Sequence, residues 1–319
     1  MNRRTFLGGL AAVGLQGSVL GLGAAPLHNL VSSPARQKKS AGKFDDNAVI
    51  LISDMHVLPD GHTPQYLSRV VDKILSMKTL PANVVGLGDL ANLYGHREDY
   101  ECALGVLKPL EDAGIKVTLG MGNHDRRGNF ATVFPEKAAQ TRLPGRMVFV
   151  VETPRADFIV LDSLQEDPDL GKWITPGAIN DEQMQWLRDT LSSYRKPVFV
   201  CSHHGLSETK VLPVLRECPS CCGYIFGHEH RWRTDWPVFQ WGQRDILRTL
   251  CLPSTGYWGD IGYTEMHLGE THAVATLHQS EYFFNFPLKD GEERPLQWTL
   301  NAQDNDGARC SFSYVRAGQ

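Results

Sequence analysis

The sequence predicts an α/β fold, in which a parallel sheet with crossover helices leads into a second, mostly antiparallel sheet. Three observations predict it. Apolar runs and amphipathic stretches alternate as β-α-β-α-β between Asn47 and Gly120, the pattern of parallel strands joined by crossover helices. Beyond Trp232 the chain breaks into short alternating segments without helical periodicity. The apolar runs also end repeatedly in Asp, Asn and His, which puts a metal site at the C-terminal ends of the strands, where open α/β sheets place their ligand sites.

The elements follow in order. Asn47 to Ser53 is a continuous apolar run of the kind seen in buried strands. Thr63-Pro64 reads as a cap and first helical residue. Leu67, Val70, Val71, Ile74 and Leu75 then form one apolar face, and Pro81 ends the helix. A strand at Val84 to Gly88 precedes a second helix from about Glu98 to Asp112, with Pro109 expected to kink it or end it early. The strand from Ile115 to Gly120 runs into Gly122-Asn123-His124-Asp125. Met147 to Val151 and Phe158 to Leu161 read as a hairpin, and Asn180 as the cap of a third helix with Met184, Leu187 and Leu191 on its buried face. Pro197 to Cys201 and Tyr224 to Phe226 are further strands, followed by the C-terminal strands Ile246 to Leu252, Tyr263 to Leu268, Ala273 to Leu277 and Tyr282 to Phe286.

A net charge of −4 with 42% hydrophobic residues describes an ordinary globular protein and excludes nucleic acid as a bulk electrostatic partner. Arg3-Arg4 precedes a Gly- and Ala-rich apolar run to Ala25, the layout of a bacterial twin-arginine export signal. The glycines favour that reading over an uncleaved anchor. Residues 1–35 are therefore expected to be signal peptide and linker, cleaved near Ala25 or Ala35, and residues 45–319 the folded domain. The expected location is periplasmic or extracytoplasmic, with the twin-arginine export machinery as partner. No later stretch approaches the roughly 18 apolar residues of a membrane span. Cys218-Pro219-Ser220-Cys221 has Cys-x-x-Cys spacing, but a zinc site needs two more ligands, so a disulfide or surface thiols are expected. Cys201 and Cys251 sit in apolar runs and read as core.

Five strand ends carry the chemistry: Asp54-Met55-His56, Gly88-Asp89, Gly122-Asn123-His124, His203-His204 and Gly227-His228-Glu229-His230. An isolated Asn-His-Asp is more often a turn, and a lone His is more often a satisfied core or surface residue. The whole set at strand ends is not explained that way. In extended backbone, residues i and i+2 share a side, so Asp54 with His56, and His228 with His230, are expected to reach one pocket. Carboxylates, imidazoles and one amide without thiolate suit Mn, Fe or Zn.

These motifs together resemble the calcineurin-like metallophosphoesterase superfamily. The resemblance spans Asp54 to His230 and implies a four-layer αββα sandwich of two mixed β-sheets flanked by helices. It implies two metal ions bridged by Asp89, one held by Asp54, His56 and His230 and the other by Asn123, His203 and His228. It implies that a hydroxide bridging the ions attacks phosphorus, that His124 protonates the leaving oxygen or stabilises the phosphoryl group, and that Asp125 orients His124. His204 is expected to support the site or to touch substrate. The chemistry is consistent, because two ions deprotonate water and clamp phosphoryl oxygens, while a neutral Asn adds no negative charge near phosphate.

Gly88-Asp89-Leu90-Ala91-Asn92 is most similar to the class III cyclic nucleotide phosphodiesterase and glycerophosphodiesterase branch. A small-molecule phosphodiester is therefore the expected substrate, with phosphomonoester hydrolysis and a non-catalytic metal-binding scaffold as alternatives. Arg126 and Arg127 could grip phosphate or be solvated charge. Trp232, Trp236, Trp241, Tyr257 and Trp258 could line the substrate site or pack structurally.

Overall fold

The computed structural model describes residues 43–234, 239–241, 245–283 and 306–314. The expected export signal, Trp236 and residues 284–286 of the last expected strand lie outside them. Among the described residues the first sheet has the order β12-β11-β10-β1-β2-β3. Its strands are β1 (Phe44–Ile52), β2 (Leu80–Gly86), β3 (Lys116–Leu119), β10 (Gly259–Leu268), β11 (His272–Phe283) and β12 (Arg309–Ser313). The second sheet runs β4-β5-β6-β7-β9-β8, from β4 (Phe149–Val151), β5 (Asp157–Val160), β6 (Val198–Ser202), β7 (Cys221–Phe226), β8 (Phe239–Trp241) and β9 (Asp245–Cys251). Both sheets are mixed. β1, β2 and β3 are parallel while β10, β11 and β12 join antiparallel; β5, β6, β7 and β9 are parallel with antiparallel edges.

Side chains alternate across the second sheet with the two-residue period of a strand. Phe158, Val160, Phe199 and Cys201 join the larger core, and Ile159, Leu161, Val198 and Val200 join Leu187 and Leu191 of α5 (Asp181–Ser193). The sheets meet where Phe199 of β6 packs edge-on against Phe312 of β12, ring centres 5.3 Å apart. Each such buried side chain contributes about 1.5–3 kcal/mol. The other face of the first sheet takes α1 (Thr63–Leu75) through Leu67, Val70 and Ile74, and α2 (Arg97–Asp112) through Tyr100, Ala103 and Leu107. The result is helices, sheet, sheet, helices, the layering expected.

Five local expectations change. The C-terminal strands do not build a sheet of their own: β10, β11 and β12 extend the first sheet on β1, and β9 joins the second beside β7. Periodicity records which residues are buried, not which neighbour a strand chooses. Thr63 is the first residue of α1, and its hydroxyl accepts from the Leu58 amide at 3.0 Å instead of capping the helix. Pro81 lies inside β2, five residues after α1 has ended at Ser76. Pro109 neither ends nor shortens α2, which continues to Asp112. By contrast, Asn180 caps α5 by accepting from the Gln183 amide at 3.1 Å, and β4 and β5 form the expected antiparallel pair. Cys201 and Cys251 are buried as expected, but so are Cys218, Cys221 and Cys222, because they flank and begin the central strand β7. Among the described residues no helix is long and apolar enough to cross a membrane.

Candidate metal centre

The loops that follow β1, β2, β3, β6 and β7 meet at one edge of the sandwich and are tied to one another through backbone. The Asp54 and His56 amides donate to the carbonyls of Gly88 and Asp89 at 3.1 and 2.9 Å, and the Gly227 amide donates to His203 at 3.0 Å. The two sheets are joined here too, since the His228 amide donates to the Asp54 carboxylate at 3.0 Å. Gly122 and Gly227 allow this closeness: a methyl on Gly122 would collide with Asp89, and one on Gly227 with Ser53 and Asp54.

The convergence is not achieved by extended backbone. Asp54, His56, Asp89, His228 and His230 all have positive φ, between 43° and 70°. They are five of the seven non-glycine residues in this region among the described residues. Each tight left-handed step aims a side chain inward as the strand ends, at a cost of about 1–2 kcal/mol. Such strain persists where surrounding structure over-determines it, commonly at functional sites.

The side chains form two adjoining donor sets. In the first, His230 Nε2 lies 3.2 Å from Asp54 Oδ1, His56 Nε2 lies 3.3 Å from His230 Nε2, and His56 Nε2 lies 3.5 Å from Asp89 Oδ2. In the second, His203 Nε2 lies 3.1 Å from Asp89 Oδ2, 3.2 Å from Asn123 Oδ1 and 3.2 Å from His228 Nδ1. Asp89 Oδ2 belongs to both. The other oxygen, Oδ1, accepts the His124 amide at 2.8 Å, so it is Oδ2 alone of this carboxylate that is shared between the sets.

This geometry fits metal ions. An ion with bonds of about 2.1 Å separates neighbouring ligand atoms by roughly 3.0–3.4 Å in tetrahedral or octahedral sites. The imidazole tautomers fit as well. His203 Nδ1 faces the Leu87 carbonyl at 3.0 Å and His230 Nδ1 faces the Trp258 carbonyl at 3.1 Å. A carbonyl only accepts, so Nδ1 donates in both and Nε2 is the nitrogen aimed at a carboxylate oxygen, with or without a proton of its own. Two lone pairs at that distance repel unless a cation or a proton lies between them. Burial opposes charge on His203, yet Asp89 and Asp54 overcome it and raise the imidazole to about 9. Burial would raise the Asp54 and Asp89 carboxyls, but the surrounding histidines hold both below the usual range. Burial lowers His56 to about 3 and, with His203 second, His228 to about 4, which keeps their lone pairs available. The pocket is built for positive charge between its donors.

The remaining expected residues are placed as follows. His124 Nδ1 donates to the Leu93 carbonyl at 2.8 Å, and its ring packs 5.1 Å from that of His56. Asp125 does not orient it. Its carboxylate turns away and accepts from Gly122, Leu90, Ala91 and the Tyr100 hydroxyl; burial, with Asp89 second, pushes it up to about 6. His204 engages both nitrogens, with Ser163 Oγ at 2.8 Å and the Thr175 carbonyl at 2.9 Å. Burial, with His203 second, lowers it to about 2. Although it lies within ligand distance of His203 and His228, its hydrogen bonds make it a buttress. Arg126 is buried and its guanidinium holds the carbonyls of Asp167, Asp169 and Lys172, while Arg127 pairs with Asp162 and Glu166. Both arginines brace the loop after β5, their guanidiniums engaged by its carbonyls and carboxylates. Tyr257 packs 4.4 Å from His56 and Trp258 stacks 4.4 Å from His230, so both wall the site. Trp232 is buried, and its amide donates to Asp260.

Leu93, whose carbonyl fixes His124, carries no signal in the sequence, because any residue supplies a carbonyl. Trp173, whose ring lies 5.1 Å from His124, carries none either; a lone Trp in a polar loop is no motif.

Residues 48–232 match the model of the calcineurin-like phosphoesterase family. The chain belongs to that family. Two solved structures resemble this phosphoesterase domain. A dimetal phosphatase from Danio rerio is 18% identical, with 74% of this chain and 96% of that one covered at a TM-score of 0.59. PhoD is 12% identical, with 87% and 71% covered at 0.52. At these identities the likeness establishes the phosphoesterase fold alone. No curated protein matches the chain in sequence.

Proposed function

We propose that the protein is a dinuclear-metal phosphodiesterase. The observation that carries the reading is the single carboxylate oxygen, Asp89 Oδ2, that stands 3.5 Å from His56 and 3.1 Å from His203 and so belongs to two donor sets. Asp54, His56 and His230 would hold one ion and Asn123, His203 and His228 the other, with Asp89 between them. Mn, Fe or Zn suits this oxygen and nitrogen set. Bound ions would make water acidic enough to attack phosphorus at neutral pH and would neutralise charge on the phosphoryl oxygens.

The chain's own groups do the rest. Asn123 supplies a neutral oxygen, which keeps local negative charge down. His124 is held at Nδ1 by Leu93, so Nε2 is the nitrogen that delivers a proton to the leaving oxygen as the P–O bond breaks. The preference for diesters rests on Arg126 and Arg127. Both are engaged with carbonyls and carboxylates, so the doubly charged phosphate of a monoester gains no help from them, whereas a singly charged diester needs less. Monoester hydrolysis is the second reading, favoured by the dimetal phosphatase among the structural neighbours.

Metal-loaded protein should hydrolyse bis-nitrophenyl phosphate faster than nitrophenyl phosphate. His124→Ala should lower turnover by roughly 100-fold or more while leaving bound metal unchanged. A faster monoester rate reverses the preference. If no ester in a broad panel is hydrolysed by protein shown to hold two ions, the chain is a metal-binding scaffold.

The proposed setting is outside the cytoplasm, after twin-arginine export of the folded, metal-loaded chain. That route rests on Arg3-Arg4 and the apolar run to Ala25. Replacing both arginines with lysine should leave the protein in the cytoplasm, as read by fractionation; unchanged export removes the proposal.

A further inference from the structure

Trp173 is 38% exposed in the segment between β5 and α5. Exposed tryptophans on polar loops are usually free to move, but this one is held on both sides. Arg126 grips the carbonyls of Asp167, Asp169 and Lys172 just before it, and His204 donates to the Thr175 carbonyl just after it. Gln165 closes the base of the loop by donating to the Pro176 carbonyl at 2.8 Å. Both main anchors are buried, and each is a chain neighbour of the site: Arg126 follows Asp125, and His204 follows His203.

The ring is placed with respect to the proton donor. Its centre lies 5.1 Å from that of His124, at a tilt of 44°, and 5.4 Å from that of Tyr94, which meets it edge-on at 61°. Tyr94 adjoins Leu93, whose carbonyl orients His124, so one turn fixes the acid and backs the tryptophan. Leu93 adopts positive φ, 37°, to do so. Folding alone gains little from anchoring a large apolar ring in water with a buried arginine and a buried histidine. In the hydrolase reading, on which this inference rests, His124 protonates the leaving oxygen. Whatever that oxygen carries must then lie on the His124 side of the site, next to Trp173.

We propose that Trp173, backed by Tyr94, is the stacking platform for a planar leaving group, and that the preferred substrates are phosphoesters of an aryl alcohol or a nucleoside rather than of an alkyl alcohol. Stacking tolerates either ring type, because both present a π-face. The phosphate is handled by the donor sets described above; the ring sets which ester is taken.

The test compares full-length metal-loaded wild type with Trp173→Ala and Trp173→Phe. Calorimetry would measure binding of phenyl phosphate, adenosine 5′-phosphate and butyl phosphate, with metal content as a control for the integrity of the centre. Trp173→Ala should weaken the two ring-bearing ligands by roughly tenfold and leave butyl phosphate unchanged, while Trp173→Phe should keep most of the binding. Loss confined to one ring-bearing ligand would identify aryl or nucleoside esters as the class taken. Equal weakening of all three, or no weakening, overturns the platform. Hydrolysis without ring selectivity overturns the platform and leaves the hydrolase reading standing. Ring-selective binding without hydrolysis overturns the hydrolase reading and the leaving-group assignment with it, and leaves Trp173 as a ring-binding surface only.

Discussion

Replacing Asp89 with Ala is expected to lower turnover of a chromogenic phosphodiester by roughly 10⁴-fold, about 5 kcal/mol of barrier, and to reduce bound metal below two ions per chain. That exceeds the roughly 10–100-fold typical of losing an outer hydrogen-bond partner of a metal ligand, because Asp89 has three roles at once. Its Oδ2 lies 3.5 Å from His56 and 3.1 Å from His203, and so within reach of both donor sets. Its Oδ1 accepts the His124 amide and so positions the proton donor. Its charge, together with that of Asp54, raises His203 and attracts a cation to the site. Asp89→Asn separates these roles, since it keeps the shape and an acceptor but removes the charge; it should restore part of the His124 positioning and little of the metal. Elemental analysis and steady-state kinetics on the same preparations check both. Two retained ions with full turnover in Asp89→Ala would mean that the two donor sets act independently.

The sequence made the donors legible and left their geometry hidden. Metal-ligand types at the ends of apolar runs can be read directly, since strand ends and His, Asp and Asn are local properties. The backbone that aims them is not. Alternation suggests extended i and i+2 pairs, whereas Asp54, His56, His228 and His230 are turned inward by positive φ. That conformation is imposed by the neighbouring loops, notably the hydrogen bonds that the Asp54 and His56 amides donate to carbonyls of the loop after β2. Gly122 and Gly227 were the available signal: both precede a candidate ligand, and both lie where a side chain would collide with the next loop.

The helices and central strands were legible for a similar reason, the four-layer arrangement came from the resemblance of the motifs, and strand partners were not legible. Helical and strand periods identify α1, α2, α5 and the central strands, but β10 could satisfy its alternation against either sheet. Its pairing with β1 brings Thr255 against Ser53 and Ser254 against the Asp54 carbonyl, contacts between residues some two hundred positions apart. The arginines show the same limit. Arg126 beside Asn-His-Asp reads as a phosphate grip by proximity in sequence. Its guanidinium instead reaches forward to carbonyls about forty residues on, and only the fold reveals that those carbonyls lie there.

Asp125→Ala should lower the melting temperature by about 10 °C, from a loss of about 3 kcal/mol at about 2–4 °C per kcal/mol for a domain of this size. Asp125 is 1% exposed, and its carboxylate accepts from four donors: the Gly122 amide at 2.9 Å, the Tyr100 hydroxyl at 3.0 Å, and the Ala91 and Leu90 amides at 3.1 and 3.3 Å. These come from α2 and from the loops after β2 and β3, so the one side chain joins three segments that meet beneath Asp89 and Asn123. Alanine would leave buried donors without partners, each costing about 1–3 kcal/mol before relaxation. Asp125→Asn should fall between the two, because its amide offers one oxygen where two now accept. The measurement also decides between two roles for Asp125. If it acted only by orienting His124, turnover would fall with melting unchanged. Since His124 is oriented by Leu93 and Asp125 holds the loops, melting and metal content should fall together, and turnover should follow them.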